Sequence, residues 1–244
     1  MFICPQCFKS SLASAPLCQK IECPNEAGES ILGEGDRVMG MEIVRVVTLL
    51  PRAAVYEVAY GRDHFLLKTV ASAEVPRLER ELSVWVNRKG FENPRPVPLP
   101  RELRHAHPYV GQMPERAGGG GFALFGNVEA ESMPQYLARN QVMTAFQTEE
   151  LLAPIEHEIR QMHHHQLVHL ALNPASILVP WPHKKKQKPF LIDLGTCAPL
   201  AHAPQQNRFF ADGRFSMTGF SRNRKFDFQA DLSGLDALRE LSLA

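Results

Sequence analysis

Between residues 38 and 70 apolar and polar positions change places with a short period. Met41-Glu-Ile-Val-Arg-Val-Val47 alternates in part and is β-branched. Ala54-Val-Tyr-Glu-Val-Ala-Tyr60 repeats the pattern, and His64-Phe-Leu-Leu-Lys68-Thr-Val70 follows a Gly61-Arg-Asp turn. Such a period suits a pleated, half-buried surface, and a short glycine-led turn suits a hairpin. Three antiparallel strands are predicted. The period then lengthens: Val75, Leu78, Leu82 and Trp85 recur at helical spacing within a predicted helix over Glu74–Arg88. Phe122–Phe125 reads as a short strand. A second amphipathic helix is predicted over Glu149–His164, from Leu152, Ile155, Ile159 and Met162. Ser176–Val179 and Pro189–Ile192 read as two strands around the basic turn His183-Lys-Lys-Lys-Gln-Lys188, a solvated hairpin tip. Leu232, Leu235, Leu238 and Leu241 mark a last helix that needs its apolar face covered.

Composition changes this picture little. The 244 residues are 44% hydrophobic and 22% charged, which suits one medium domain with a small appendage. A formal net charge of +1 gives no global field toward nucleic acid or an acidic membrane. No stretch approaches the roughly 20 apolar residues of a membrane helix. The Met1-Phe-Ile-Cys4 start lacks the basic and apolar regions of a secretory signal, so a cytoplasmic location is expected.

The cysteines change it more. Four of the five fall at Cys4, Cys7, Cys18 and Cys23, as a CxxC pair and a wider pair ten residues further on. Four thiolates give a closed tetrahedral shell, so the expected Zn2+ is structural. A segment this short cannot build its own core, and metal binding supplies its folding energy. Two disulfides are the alternative, disfavoured in a cytosolic chain. Lys9 and Lys20 face Glu22, Glu26 and Glu29 in composition, poor material for phosphate contacts, so a protein partner or packing suits the segment better than nucleic acid. Cys197 stands apart as a candidate buried thiol. The expected organisation is a zinc ribbon over 1–30, a linker over 31–37 and a larger domain over 38–244.

Several motifs of that domain follow one order. Leu167-Val-His169-Leu-Ala171-Leu-Asn173-Pro174-Ala-Ser176-Ile-Leu-Val179 resembles the catalytic loop of eukaryotic-type (Hanks-type) protein kinases, which reads His-Arg-Asp-Leu-Lys-Pro-x-Asn-Ile-Leu. Met162-His163 resembles the Leu-His that ends the preceding helix in that family. Leu191-Ile-Asp193-Leu-Gly195 resembles its metal-binding Asp-Phe-Gly motif. Phe65-Leu-Leu-Lys68 resembles the strand with the ATP-contacting lysine, and Glu81 its glutamate partner, with Glu79 as the alternative. Phe122–Arg139 looks like the hinge and following helix. Gln229-Ala-Asp231 looks like the helix that opens on a buried aspartate. The resemblance implies an α+β, two-lobed protein-kinase-like fold: a small antiparallel sheet lobe over about 38–126 and a truncated helical lobe over about 127–244, behind the zinc ribbon.

It also implies ATP with Mg2+ as the ligand, with Lys68, Glu81 and Asp193 holding the phosphates and one divalent ion. Phosphoryl transfer is mostly positioning and charge neutralisation. Here the acid of the catalytic loop is replaced by Ala171, which can neither accept a proton nor orient a hydroxyl. Asn173 stands at the loop lysine and Ser176 at the second metal ligand. The turn within Val47–Val55 has no glycine to bring backbone close to phosphates. Losing a positioned base costs about 10²–10⁴-fold in rate. The expected function is therefore a pseudokinase scaffold or regulator that binds a partner protein, with nucleotide binding in residue. The alternatives are a divergent active Ser/Thr kinase that recruits another acid, such as Asp212 or Asp227, and a zinc-ribbon binding module on a kinase-like support. His169 is expected to pack structurally, and Asp231 to bond backbone N–H groups of the loop. His163-His164-His165 point in different directions on a helix end and make a poor metal site. The segment from Thr196 to Phe228 mixes Arg208, Arg214, Arg222, Arg224 and Lys225 with six phenylalanines, fitting a partner surface or the loop's own packing equally. Elemental analysis of the purified chain should find one zinc per polypeptide; a metal-free, folded chain would reject the four-cysteine assignment.

Overall fold

The structure, a computed structural model, describes residues 2–3, 10–11, 32–50, 53–87, 95–99, 101–103, 108–114, 119–126, 129–140, 143–169, 172–181, 188–194, 197–200 and 228–243. Cys4, Cys7, Cys18 and Cys23, the basic tip at 183–187, Ala171, Gly195 and residues 201–227 lie outside these. The chain divides into two compact units, Met1–Glu129 and Ala130–Ala244.

The first unit opens with β1 (Phe2–Ile3) and β2 (Ser10–Ser11), paired antiparallel with Phe2 opposite Ser11. The pair brackets the segment that contains Cys4 and Cys7. The main sheet follows: β3 (Arg37–Val38), β4 (Met41–Leu50), β5 (Ala53–Tyr60) and β6 (Asp63–Val70). After β6 come α1 (Val75–Asn87), β7 (Gly111–Gln112) and β8 (Gly121–Gly126). The six strands stand in the order β3-β4-β5-β6-β8-β7, every neighbour antiparallel. The meander predicted from the short period is thus present, and Gly61 takes φ +65° at its turn, a conformation that suits glycine because it has no Cβ.

Strand β5 is buried on both faces. Ala54, Tyr56 and Val58 join Ile43, Leu67, Leu99, Met113 and Phe122 in one core. On the other face Val55 stands opposite Lys68, and Lys68 opposite Ala123. Helix α1 buries Leu78, Leu82 and Trp85, and Trp85 meets Phe125 of β8 edge-on at 6.0 Å between centroids. Each of those side chains contributes about 1.5–3 kcal/mol of burial.

The second unit contains β9 (Ala130–Ser132), α2 (Met133–Asn140) and α3 (Ala145–His164). Then come β10 (Leu167–Val168), β11 (Ile177–Pro180), β12 (Phe190–Leu191), β13 (Ala198–Pro199) and α4 (Phe228–Leu243). Strands β12, β11 and β9 form one small sheet and β10 pairs with β13. Helix α3 starts four residues before the sequence expectation because Thr144 and Gln147 close a capping box: Gln147 N donates to Thr144 Oγ1 (3.2 Å), and Thr144 N to Gln147 Oε1 (2.9 Å). Leu235 and Leu238 of α4 are buried, while Leu241 stays 46% exposed, so the leucine row is covered along only part of its length. No helix among the described residues is long and apolar enough to cross a membrane.

The Gly119–Gly121 run shows where close approach fixes a residue. Gly120 has φ +87°, and a Cβ there would lie 2.2 Å from Val70 O. Gly120→Ala should cost about 1–3 kcal/mol in urea unfolding; a variant as stable as the parent would mean that the turn relaxes freely.

Candidate functional site

Strand β6 presents Lys68 toward the face that α1 covers. Its Nζ donates to both carboxylate oxygens of Glu81, at 2.6 and 2.7 Å. Lys68 is 1% exposed and Glu81 3%. Helical spacing explains the meeting: Glu81 lies between Leu78, Leu82 and Trp85 on the buried stripe of α1. Of the two glutamates weighed from sequence, it is Glu81 that meets the lysine. Burying two charges is costly unless they pair closely, and here both carboxylate oxygens are engaged.

The hairpin at the start of the sheet departs from a phosphate-cradling loop. The β4–β5 ladder runs through Thr48 opposite Val55, Leu49 opposite Ala54 and Leu50 opposite Ala53. Only residues 51–52 separate the paired strands, and Leu50 and Ala53 are buried. Backbone N–H groups committed to a ladder are not available to an anion.

The second unit assembles a different set. Asp231, 1% exposed at the start of α4, accepts from His169 N at 2.8 Å and pairs with His163 Nε2 at 2.9 Å. The His163 ring stacks on Phe228 with centroids 4.4 Å apart. His169, fully buried, reaches Asp193 O with Nε2 at 2.7 Å. Asp193 is itself 4% exposed. Thus His163 leaves the histidine triplet to serve the fold, while His164 and His165 meet only edge to edge at 5.5 Å.

Asn173 and Ser176 close on one another. Asn173 Oδ1 accepts from Ser176 N (3.1 Å), and Ser176 Oγ donates to Asn173 O (2.7 Å). Ser176 is fully buried. Its hydroxyl donates to the Asn173 carbonyl and so caps the turn at Pro174–Ser176. Cys197 is half-buried.

One acid escaped the sequence reading. Glu158 of α3 accepts from Leu191 N at 3.2 Å. The residue is half-buried by surface area; desolvation of the carboxyl pushes it from its ordinary 4.5 up to about 8, and the bond from Leu191 offsets this only in part. The signal was available: Glu158 falls three residues after Ile155 and four before Met162, on the apolar stripe. Among the described residues no group of three or more His, Cys, Asp or Glu side chains could hold a metal ion.

Comparison with solved structures fits this architecture. The kinase domain of Mycobacterium tuberculosis PknI superposes with a TM-score of 0.51 at 19% identity, covering 87% of this chain and 77% of that one. A double mutant of that domain gives 0.55 at 18% identity over 87% and 76%, and a single mutant 0.53 at 19% over 87% and 77%. The chain has a two-lobed, protein-kinase-like α+β fold. Within it, residues 128–218 match the Lipopolysaccharide kinase (Kdo/WaaP) family, a stretch that contains His169, Asn173, Ser176 and Asp193. No curated protein matches the chain.

Replacing Lys68 alone tests the buried pair. Lys68→Met removes the cation that both buried Glu81 oxygens accept from and should cost about 3–5 kcal/mol, whereas Lys68→Met with Glu81→Leu should recover most of the loss. Urea unfolding of the two single variants and the double measures it; simply additive losses would show that the charges are not coupled.

Proposed function

We propose that the chain is a catalytically impaired kinase-like protein that binds a nucleotide through Lys68, Glu81 and Asp193 and acts as a scaffold or regulator for a partner protein. The observation that carries this reading is the selective pattern of retention. The Lys68–Glu81 pair is formed and buried. Asp193 is held at its backbone by His169. Ala171 stands where phosphoryl transfer needs an acid. Lys68 supplies the cation for α- and β-phosphates, and Glu81 fixes its position. Asp193 supplies one carboxylate to Mg2+, with phosphate oxygens completing the shell, as suits an ion that takes few protein ligands. Asn173 and Ser176 bond to one another within the turn. The four thiolates of Cys4, Cys7, Cys18 and Cys23 hold structural zinc, and their segment offers a protein contact.

A second reading has its own support. The likeness of residues 128–218 to the Kdo/WaaP kinases favours a phosphotransferase with a saccharide acceptor over one with a Ser/Thr acceptor. It needs a base in place of Ala171.

A thermal-shift titration with ATP, with and without magnesium, separates these. Ligand that binds only the folded state raises the melting temperature, so a magnesium-dependent rise with no phosphate transferred to protein or sugar is expected. No rise at millimolar ATP would reject nucleotide binding and transfer together. Labelled phosphate recovered on a saccharide acceptor would put the second reading in place of the first.

A further inference from the structure

Among the described residues five large hydrophobic side chains are exposed, and three of them, Phe146, Leu241 and Leu243, belong to one end of the α3–α4 pair. The ion pairs fix that arrangement. Asp231 near the start of α4 meets His163 at the end of α3. Arg239, further along α4, meets Glu156 and Glu149, further back along α3. The helices therefore run antiparallel, and the last turn of α4 arrives at the first turns of α3. Phe146 is 71% exposed one turn before Glu149, and Leu243 is 49% exposed one turn beyond Arg239. Exposed apolar side chains gathered in one place favour a covering surface.

The charge around them has one sign. The first two turns of α3 (145–152) and the last two of α4 (236–243) carry Glu149, Glu150, Asp236 and Glu240 against Arg239 alone, which leaves −3. A second copy would bring the same sign to the same place, so like charges oppose self-association through this face. What fits is an apolar segment of positive charge, and the chain contains one. Residues 201–227, outside the described residues, carry five phenylalanines and five Arg or Lys side chains against Asp212 and Asp227, which leaves +3. Both attachments of that segment are at the opposite end of the helix pair. Leu200 N donates to Gln166 O just past α3, and Phe228 opens α4. The patch lies about 20 Å from there, the length of α4 between Phe228 and Leu241. Half of the 27-residue segment spans about 43 Å when extended, so the chain can reach the patch and return. Tethering at both ends raises its effective concentration there to roughly millimolar.

We propose that the acid-rimmed apolar end of the α3–α4 pair is a docking surface for the chain's own residues 201–227, with phenylalanine filling the patch and arginine facing its rim. This assigns the basic, aromatic segment to packing within the chain rather than to a partner surface. The inference is independent of nucleotide binding: it concerns the second unit alone and holds whether or not Lys68 and Asp193 take a ligand.

Hydrogen exchange of the full purified chain, read by mass spectrometry on peptides from 201–227, tests it. A contact held about nine-tenths of the time slows exchange about tenfold, and that protection is expected in the parent. Two variants should remove it. Phe146→Asp with Leu243→Asp takes away the apolar patch, and Glu150→Lys with Glu240→Lys reverses the rim, all at exposed positions. Adding Arg222→Glu and Arg224→Glu to the second variant should restore the protection, because the signs oppose again. Peptides from α3 and α4 are the control for folding, and the charge swap decides even where the aspartate pair fails to fold. Unprotected 201–227 peptides in the parent, or protection that both variants leave intact, overturns the proposal. A swap that restores nothing overturns the pairing of arginine with the rim. Protection lost on dilution, together with a dimer in sedimentation, also overturns it, since the occupant is then the segment of a second copy.

Discussion

A single buried carboxylate organises the second unit. Asp231 enters at the first turn of α4, where the helix N-terminus favours a negative charge. It receives His169 N from the loop and faces His163 Nε2 from α3. Three segments distant in sequence are thereby fixed to one residue. His169, so placed, passes the constraint on through its ring to Asp193 O. The geometry of Asp193 depends on a chain of hydrogen bonds that starts on a helix more than thirty residues later in the sequence. An unpaired charge at position 231 would be expensive in so enclosed a place, so the partners and the fold hold each other in place.

The first unit solves the same problem with opposite charges. Lys68 and Glu81 bring a full ion pair into a site almost closed to water. Such a pair is weak evidence for stability, because desolvation offsets much of its attraction. It is better evidence for placement. The pair fixes the rotation of α1 about its own axis, and the stripe of Leu78, Leu82 and Trp85 then falls against the sheet. The register of β5, β6 and β8 sets Val55, Lys68 and Ala123 side by side.

Much of this was legible in the residues. The meander from Met41 to Val70 and helix α1 announce themselves by period, because each is long enough to repeat a pattern several times. The order of the loop around His169, the Asp193 motif and Asp231 pointed to the fold. Less visible were β7, β9, β10 and β13, which run two or three residues and cannot display a period. Their existence depends on partners far along the chain. The core on the far face of the sheet draws Leu32, Leu99 and Met113 from segments that look like loops. The start of α3 was written in Thr144 and Gln147, a capping pair passed over in favour of apolar spacing. Glu158 was hidden for another reason: an acid on an apolar stripe reads as a break in the pattern, until a backbone amide is found opposite it.

The departures of this loop from the protein-kinase pattern fit one another. Asn173 and Ser176, at two positions where transfer chemistry places a cation and a metal ligand, bond mutually and close their turn. A lysine at 173 could not accept from Ser176 N, and a larger amide at 176 would not fit a fully buried hydroxyl's place without movement. The β4–β5 ladder likewise pairs strands as far as Leu50 and Ala53. In both places groups that serve transfer elsewhere are replaced by groups that satisfy the protein itself. Random erosion leaves unsatisfied polar atoms; here the loop residues meet each other's needs. The physical preference is for a loop built to hold its shape.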